Sequence, residues 1–204
     1  MKLAHLGDAL DAWKGWVIET IRDETPRLRV LPMLTDQPHW GYDHFVRYAA
    51  MLGVPNSAIL LRFTAFPPHP RVRYFEEALR QLEPNDDVFL DPDTGIKRVK
   101  GRRTRNAHPE HVTTHELALL MPSNSHRLAV VYRQGRETAA TLEQSMTSLV
   151  TKYMTGCHAF ALLGGSVGAA FLSRSADRLI PVRALLAERL NPMEAERLTP
   201  VVTG

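Results

Sequence analysis

Cysteine is almost missing from this chain of 204 residues, where Cys157 stands alone. A single thiol excludes an internal disulfide framework and any CxxC or multi-cysteine metal centre, and it suits a reducing, cytoplasmic setting. Long apolar runs are missing as well. No stretch reaches the roughly 18 consecutive apolar residues of a spanning helix. The amino end lacks a basic flank leading into an apolar core, so neither membrane insertion nor a secretory leader is expected. Internal repeats and low-complexity tracts are absent too. What is present is an ordinary globular balance, with 44% hydrophobic and 23% charged residues. Length and composition together predict one domain over residues 1–204 with a buried core.

Hydrophobic spacing alternates between helical and extended periods. Residues 8–22 place Leu10, Trp13, Val17, Ile18 and Ile21 on one helical face, with Asp11, Lys14 and Glu19 elsewhere on the turn. Further helices are predicted over 42–52, closed by Gly53 and Pro55, and over 72–82, 138–154 and 176–190, with Thr113 or Thr114 capping another. Strands are predicted at 28–34, 58–63, 87–90 and 128–132, and 160–172 reads as a hairpin turning at Gly164-Gly165-Ser166. Residues 97–111 show no apolar periodicity and read as an exposed loop, and the tail 191–204 is expected to fray. The expected fold is α/β: a Rossmann-like three-layer sandwich whose mostly parallel sheet ends in an antiparallel hairpin.

Two neighbouring signals suggest chemistry. Val88-Phe89-Leu90-Asp91-Pro92-Asp93-Thr94-Gly95 is an apolar strand running into an acidic turn closed by glycine, and α/β sheets take their ligands beyond the carboxyl ends of strands. The turn puts two carboxylates there. Directly behind it come Lys97, Arg98, Lys100, Arg102, Arg103 and Arg105, six cations within nine residues. They must be solvated or bound to polyanion, and phosphate contacts of this kind give affinity without base readout. The net charge of +3 therefore conceals a local concentration of positive charge. Asp36, Asp91 and Asp93 offer a second possibility, hard oxygen ligands gathered at strand ends around Mg²⁺.

Several separated pieces resemble the large-subunit ribosomal RNA adenine-N6 methyltransferase family, which uses S-adenosylmethionine. His5-Leu6-Gly7-Asp8, followed by Asp11 and Lys14, is similar to its opening pattern. Asp91-Pro92-Asp93 stands where that family has Asp-Pro-Pro and an aromatic residue. Val131-Tyr132-Arg133 with Arg136 resembles its next strand, and Gly165-Ser166-Val167-Gly168 the turn of its closing hairpin. The chain also resembles uncharacterised bacterial proteins bearing a Leu-Asp-Pro-Asp-Thr/Asn-Gly turn. The family resemblance implies that His5, Gly7, Asp8 and Lys14 line the cofactor, that Asp91, Pro92 and Asp93 receive a target amino group, and that Arg133 and Arg136 join the basic loop on RNA or DNA. Departures from the pattern are specific: no glycine follows the first strand in Val30-Leu31-Pro32-Met33-Leu34-Thr35-Asp36, Thr94 replaces the aromatic residue, and Asp93 adds a charge. These imply an altered cofactor site.

Three functions stand as expectations. The first is amino-group methylation of nucleic acid from S-adenosylmethionine. The second is Mg²⁺-dependent phosphodiester or phosphomonoester hydrolysis at Asp91 and Asp93. The third is a non-catalytic module that binds nucleic acid or protein through the loop.

Overall fold

The computed structural model describes residues 3–66, 70–98, 110–135, 138–190 and 197–204. Its strands are β1 (Leu28–Leu31), β2 (Asp87–Leu90), β3 (Gly95–Lys97), β4 (His111–Thr113), β5 (Ala129–Gln134), β6 (His158–Leu163), β7 (Val167–Ser173) and β8 (Val202–Thr203). Its α-helices are α1 (Ala9–Thr20), α2 (Tyr42–Leu52), α3 (Arg71–Gln81), α4 (Thr114–Leu120), α5 (Ala139–Lys152) and α6 (Ala176–Arg189). The main sheet has the order β1-β2-β5-β7-β6-β8, and β3 pairs with β4 in a separate parallel pair.

Side chains alternate across the main sheet, as the period of two requires. Phe89, Val130, Tyr132, Phe160 and Phe171 face one core with α1, α2 and α6. Val88, Leu90, Ala129, Val131 and Ala170 face the other with α3, α4 and α5. Both faces of the strands are thus covered, which is why β2 and β7 are buried along their whole length. Thr113 and Glu116 close a reciprocal capping box at the start of α4. Glu116 also takes the buried Arg71 guanidinium at 2.5 and 2.8 Å, fastening α3 to α4.

The architecture is mixed α/β. Strands β1, β2, β5 and β6 run in one direction while β7 and β8 oppose them, and β7 lies between β5 and β6. The closing hairpin stands where its glycines predict it. The strand expected at 58–63 does not form. Pro55 opens a 3-10 turn at Asn56–Ala58, a lone bridge joins Ile59 to Val30, and Leu61 takes a left-handed φ of 49° that breaks extension. The expected loop 97–111 is strand at both ends, in β3 and β4, and residues 99–109 lie outside the described residues. The end of the chain is not frayed over 197–204. Leu198 is buried, Thr199 Oγ1 accepts from the Ala161 amide at 2.9 Å, and β8 extends the sheet. Cys157 is buried, and burial pushes its thiol pKa up. Among the described residues no helix is long and apolar enough to cross a membrane.

Helices α1 and α2 approach closely because position 15 has no side chain. A Cβ on Gly15 would lie 2.3 Å from the Met51 carbonyl oxygen. That contact sets how far Lys14 on α1 and Tyr48 on α2 reach over the sheet. Gly15→Ala should therefore destabilise the protein by about 1–3 kcal/mol, where helix propensity alone would yield a gain of about 1 kcal/mol. Urea unfolding of the two proteins measures the sign.

Candidate functional site

The acidic turn emerges at the carboxyl end of β2, and helix α1 begins directly over it. Asp8 caps α1, its Oδ1 accepting from the amides of Leu10 at 2.8 Å and Asp11 at 3.2 Å. Three-residue spacing then places Asp11 and Lys14 on the same side of the helix as the cap. That side faces inward. The expectation that Asp11 and Lys14 lie away from the buried surface is corrected: they are only 2% and 5% exposed. They are buried because they find each other and Asp91.

Lys14 Nζ lies 3.0 Å from Asp11 Oδ1 and 2.9 and 3.0 Å from the two oxygens of Asp91. Tyr48 donates its hydroxyl to Asp91 Oδ2 at 2.6 Å, and the Gly7 amide donates to Asp11 Oδ2 at 2.9 Å. The ammonium also sits 4.4 Å from the centre of the Tyr132 ring, a cation–π contact. Burial works against the Lys14 charge, but Asp91 and Asp11 outweigh it and hold its pKa above the ordinary lysine value. Burial, reinforced by Asp91, keeps the Tyr48 phenol protonated well beyond its usual range.

The strand-end residues do converge. Asp8, Lys14, Asp91, Pro92 and Asp93 border one cleft with Tyr132, but it measures only about 30 Å³. One water fills such a volume. Gly7 has φ of +94° and turns the chain into α1; a Cβ there would meet an Arg47 guanidinium nitrogen at 2.7 Å. His5 lies in the 3-10 turn Leu3–His5. After β1, Met33 and Leu34 are wholly buried and Met33 carries φ of 42° where no glycine stands. Of the cofactor residues implied by the resemblance, Gly7, Asp8 and Lys14 are thus committed to turning, capping and ion pairing. They do not fit a nucleoside-sized cofactor, which needs a site of roughly 300 Å³ or more.

The Mg²⁺ arrangement is not formed either. Asp36 accepts from the Leu3 amide at 2.8 Å and from Trp40 Nε1 at 2.9 Å, Asp93 accepts from Thr35 Oγ1 at 3.2 Å, and Asp91 belongs to Lys14 and Tyr48. Each carboxylate has its own donor. Among the described residues no group of three or more His, Cys, Asp or Glu side chains could hold a metal ion.

A second, larger cleft of about 410 Å³ opens beside the first, bordered by β3, β4, the end of β5 and α5. Lys97, Arg98 and Arg133 from the predicted basic set border it, together with His111. Arg98 reaches Ser145 Oγ on α5. Gly95 makes this approach possible: its φ is +112°, and a Cβ would lie 2.8 Å from Arg133 Cβ. The Thr94 amide and hydroxyl both donate to the Glu110 carbonyl, at 2.9 and 2.8 Å, which fixes the turn against the segment entering β4. Lys100, Arg102, Arg103, Arg105 and Arg136 lie outside the described residues. Asp11 and Tyr132 stood in the resembling motifs without a site role of their own, and neither Tyr48 nor His111 was expected at the site. The Asp8, Asp11, Lys14 spacing is a readable sign of a shared helix side, whereas nothing local distinguishes Tyr48 or His111. Comparison with protein families, with curated proteins and with solved structures finds no match to this chain.

Removing one partner of the buried ion pair leaves the other uncompensated, so Asp91→Ala should cost about 3–5 kcal/mol in urea unfolding. Glu19→Ala, which breaks an exposed pair with Arg22, should change stability by less than about 1 kcal/mol. Equal effects would contradict the structural role assigned to Asp91.

The same network predicts alkaline instability. Lys14 and Tyr48 both hold their protons in the folded protein above the ordinary values of 10.5 and 10.0. Their stabilisation is therefore whole below about pH 10 and falls as pH rises further, by about 1.4 kcal/mol per pH unit for each group. Thermal melting from about pH 9 to about pH 11 should show this decline, and a shallower one in Tyr48→Phe, which has one proton fewer to lose.

Proposed function

We propose that this chain binds nucleic acid through its basic segment and Arg133, on a methyltransferase-like, Rossmann-like scaffold whose Asp91 centre is structural. The observation that carries the reading is a contrast between two adjacent clefts. Asp91 is 1% exposed with both oxygens engaged, whereas Lys97 and Arg98 are exposed beside the open cleft. A polyanion meets the second and not the first. Six cations in nine residues supply the charge, and the anchoring of β3 on β5 through Gly95 brings Lys97 and Arg98 to Arg133. Contacts of this type fix phosphates and leave sequence unread. RNA and DNA both satisfy them, and a cytoplasmic location agrees with the lone buried thiol.

Methyl transfer is the second reading, favoured by position: Asp91 and Pro92 follow β2 at the edge where α/β sheets receive ligands. It requires the Lys14 network to open. Calorimetric titration with S-adenosylmethionine distinguishes the two. No heat is expected, and heat that disappears in Asp91→Asn would replace the binding reading with the enzymatic one.

Fluorescence anisotropy with a labelled single-stranded oligonucleotide tests the binding directly. With six phosphate contacts, affinity should fall with salt at a log–log slope of about −4. Replacing the six cations of residues 97–105 by glutamine should remove most of that slope. Binding that keeps its full salt dependence in this variant would overturn the proposal.

A further inference from the structure

The larger cleft has features that bulk attraction to a polyanion does not need. Its charged lining is of one sign: Lys97 at the end of β3, Arg98 just after it and Arg133 on β5, with the His111 imidazole on β4 beside them and no carboxylate among the described lining residues. The rest of its lining mixes polar Thr94, Gln134 and Ser145 with an apolar wall of half-buried Ile96 and the nearly buried Met146 and Leu149. A phosphate alone would use only the first part. At about 410 Å³ the cleft is too large for inorganic phosphate, and it lies within the range of small-molecule sites, roughly 300–1,000 Å³.

We infer that this cleft seats one nucleotide, its phosphate on the basic side and its base and sugar along the Ile96–Met146–Leu149 wall. The inference rests on the nucleic-acid reading above and names the unit of the strand that is held. A guanidinium presents a planar fork of donors that matches two phosphate oxygens, and an ammonium adds a compact point charge. Arg133 and Lys97 supply one of each. Half-buried Ile96 offers the apolar contact for a base, and the Met146 thioether, 3% exposed, is a polarizable neighbour that can adapt to different bases. The cleft is thus built for the chemistry common to all nucleotides, and it accounts for the position of Gly95: any larger residue there pushes β3 away from Arg133 and spreads the phosphate donors apart.

Isothermal calorimetry of the full chain with AMP, adenosine and inorganic phosphate tests the assignment. AMP should bind, adenosine should give no heat, and inorganic phosphate should bind at least about tenfold more weakly than AMP, since it leaves the apolar wall empty. Arg133→Gln and the exposed Lys97→Gln should each weaken AMP about tenfold or more, the loss expected for one charge-assisted hydrogen bond. The methyl resonance of Met146 should move with AMP and stay in place with phosphate. Adenosine binding as well as AMP, or phosphate binding as well as AMP, would overturn the proposal. If the oligonucleotide binds and AMP does not, the cleft assignment fails while the nucleic-acid reading survives. If AMP binds and the oligonucleotide does not, the cleft stands and the polymer reading falls.

Discussion

A lysine ammonium buried between two carboxylates is the constraint on which this structure depends. Lys14 comes from α1, Asp91 from the end of β2, and Tyr48 from α2, so one set of polar contacts fixes two helices against the sheet edge. Desolvating these charges costs several kcal/mol each, and only complete pairing repays it. The pairing is complete in detail. Asp91 receives the ammonium on both oxygens and a phenol on one, while Asp11 receives the ammonium and the Gly7 amide. Two carboxylates and one ammonium leave an excess negative charge. Asp11 lies in the first turn of α1, where the positive end of the helix dipole offsets part of it.

The network also decides what the Asp-Pro-Asp turn can do. A carboxylate meant to receive a substrate amino group needs an open surface, and Asp91 in this arrangement is 1% exposed with both oxygens engaged. Strand β5 separates this closed region from the open one. Tyr132 joins the core cluster on the α1 side, and its ring meets Lys14. Arg133 points the opposite way to the larger cleft, as alternation along a strand requires. Gln134, at the end of the strand, borders both. Residues adjacent in sequence thereby serve two neighbouring clefts of different polarity.

Much of this fold was legible because its elements have strong local signals. Helix α2 begins and ends where predicted, since Gly53 supplies a left-handed cap at φ of 67°. Strand β2 is an unbroken apolar run between acidic residues, and it too has the predicted bounds. The misses are elements defined by partners. Strands β3 and β4 have three residues each and exist by pairing with each other, and β8 exists by docking on β6. The predicted strand at 58–63 had suitable residues, but a 3-10 turn and the left-handed Leu61 interrupt it. At the site, residue types identified the place, and geometry assigned the roles. Asp91, Pro92, Asp93 and Lys14 do meet at a strand end. What spacing could not reveal is that Lys14 and Tyr48 occupy the carboxylate, because α2 reaches it from 43 residues away in the chain.

The polarity of the two clefts has a consequence for how a strand of nucleic acid would lie. One lip carries the Asp8 and Asp93 carboxylates, the other Lys97 and Arg98. Phosphates are repelled by the first and drawn to the second, and the two regions share Gln134 as a border. Screening over a Debye length of about 8–10 Å weakens this field without removing it between neighbouring groups. On the nucleotide proposal, the ligand would be oriented by charge before any base contact forms. Its phosphate would settle toward β3 and α5, away from the acidic lip. On the nucleic-acid proposal the acidic turn would act by exclusion, and the Lys14 ammonium beside Asp91 offsets part of its negative field.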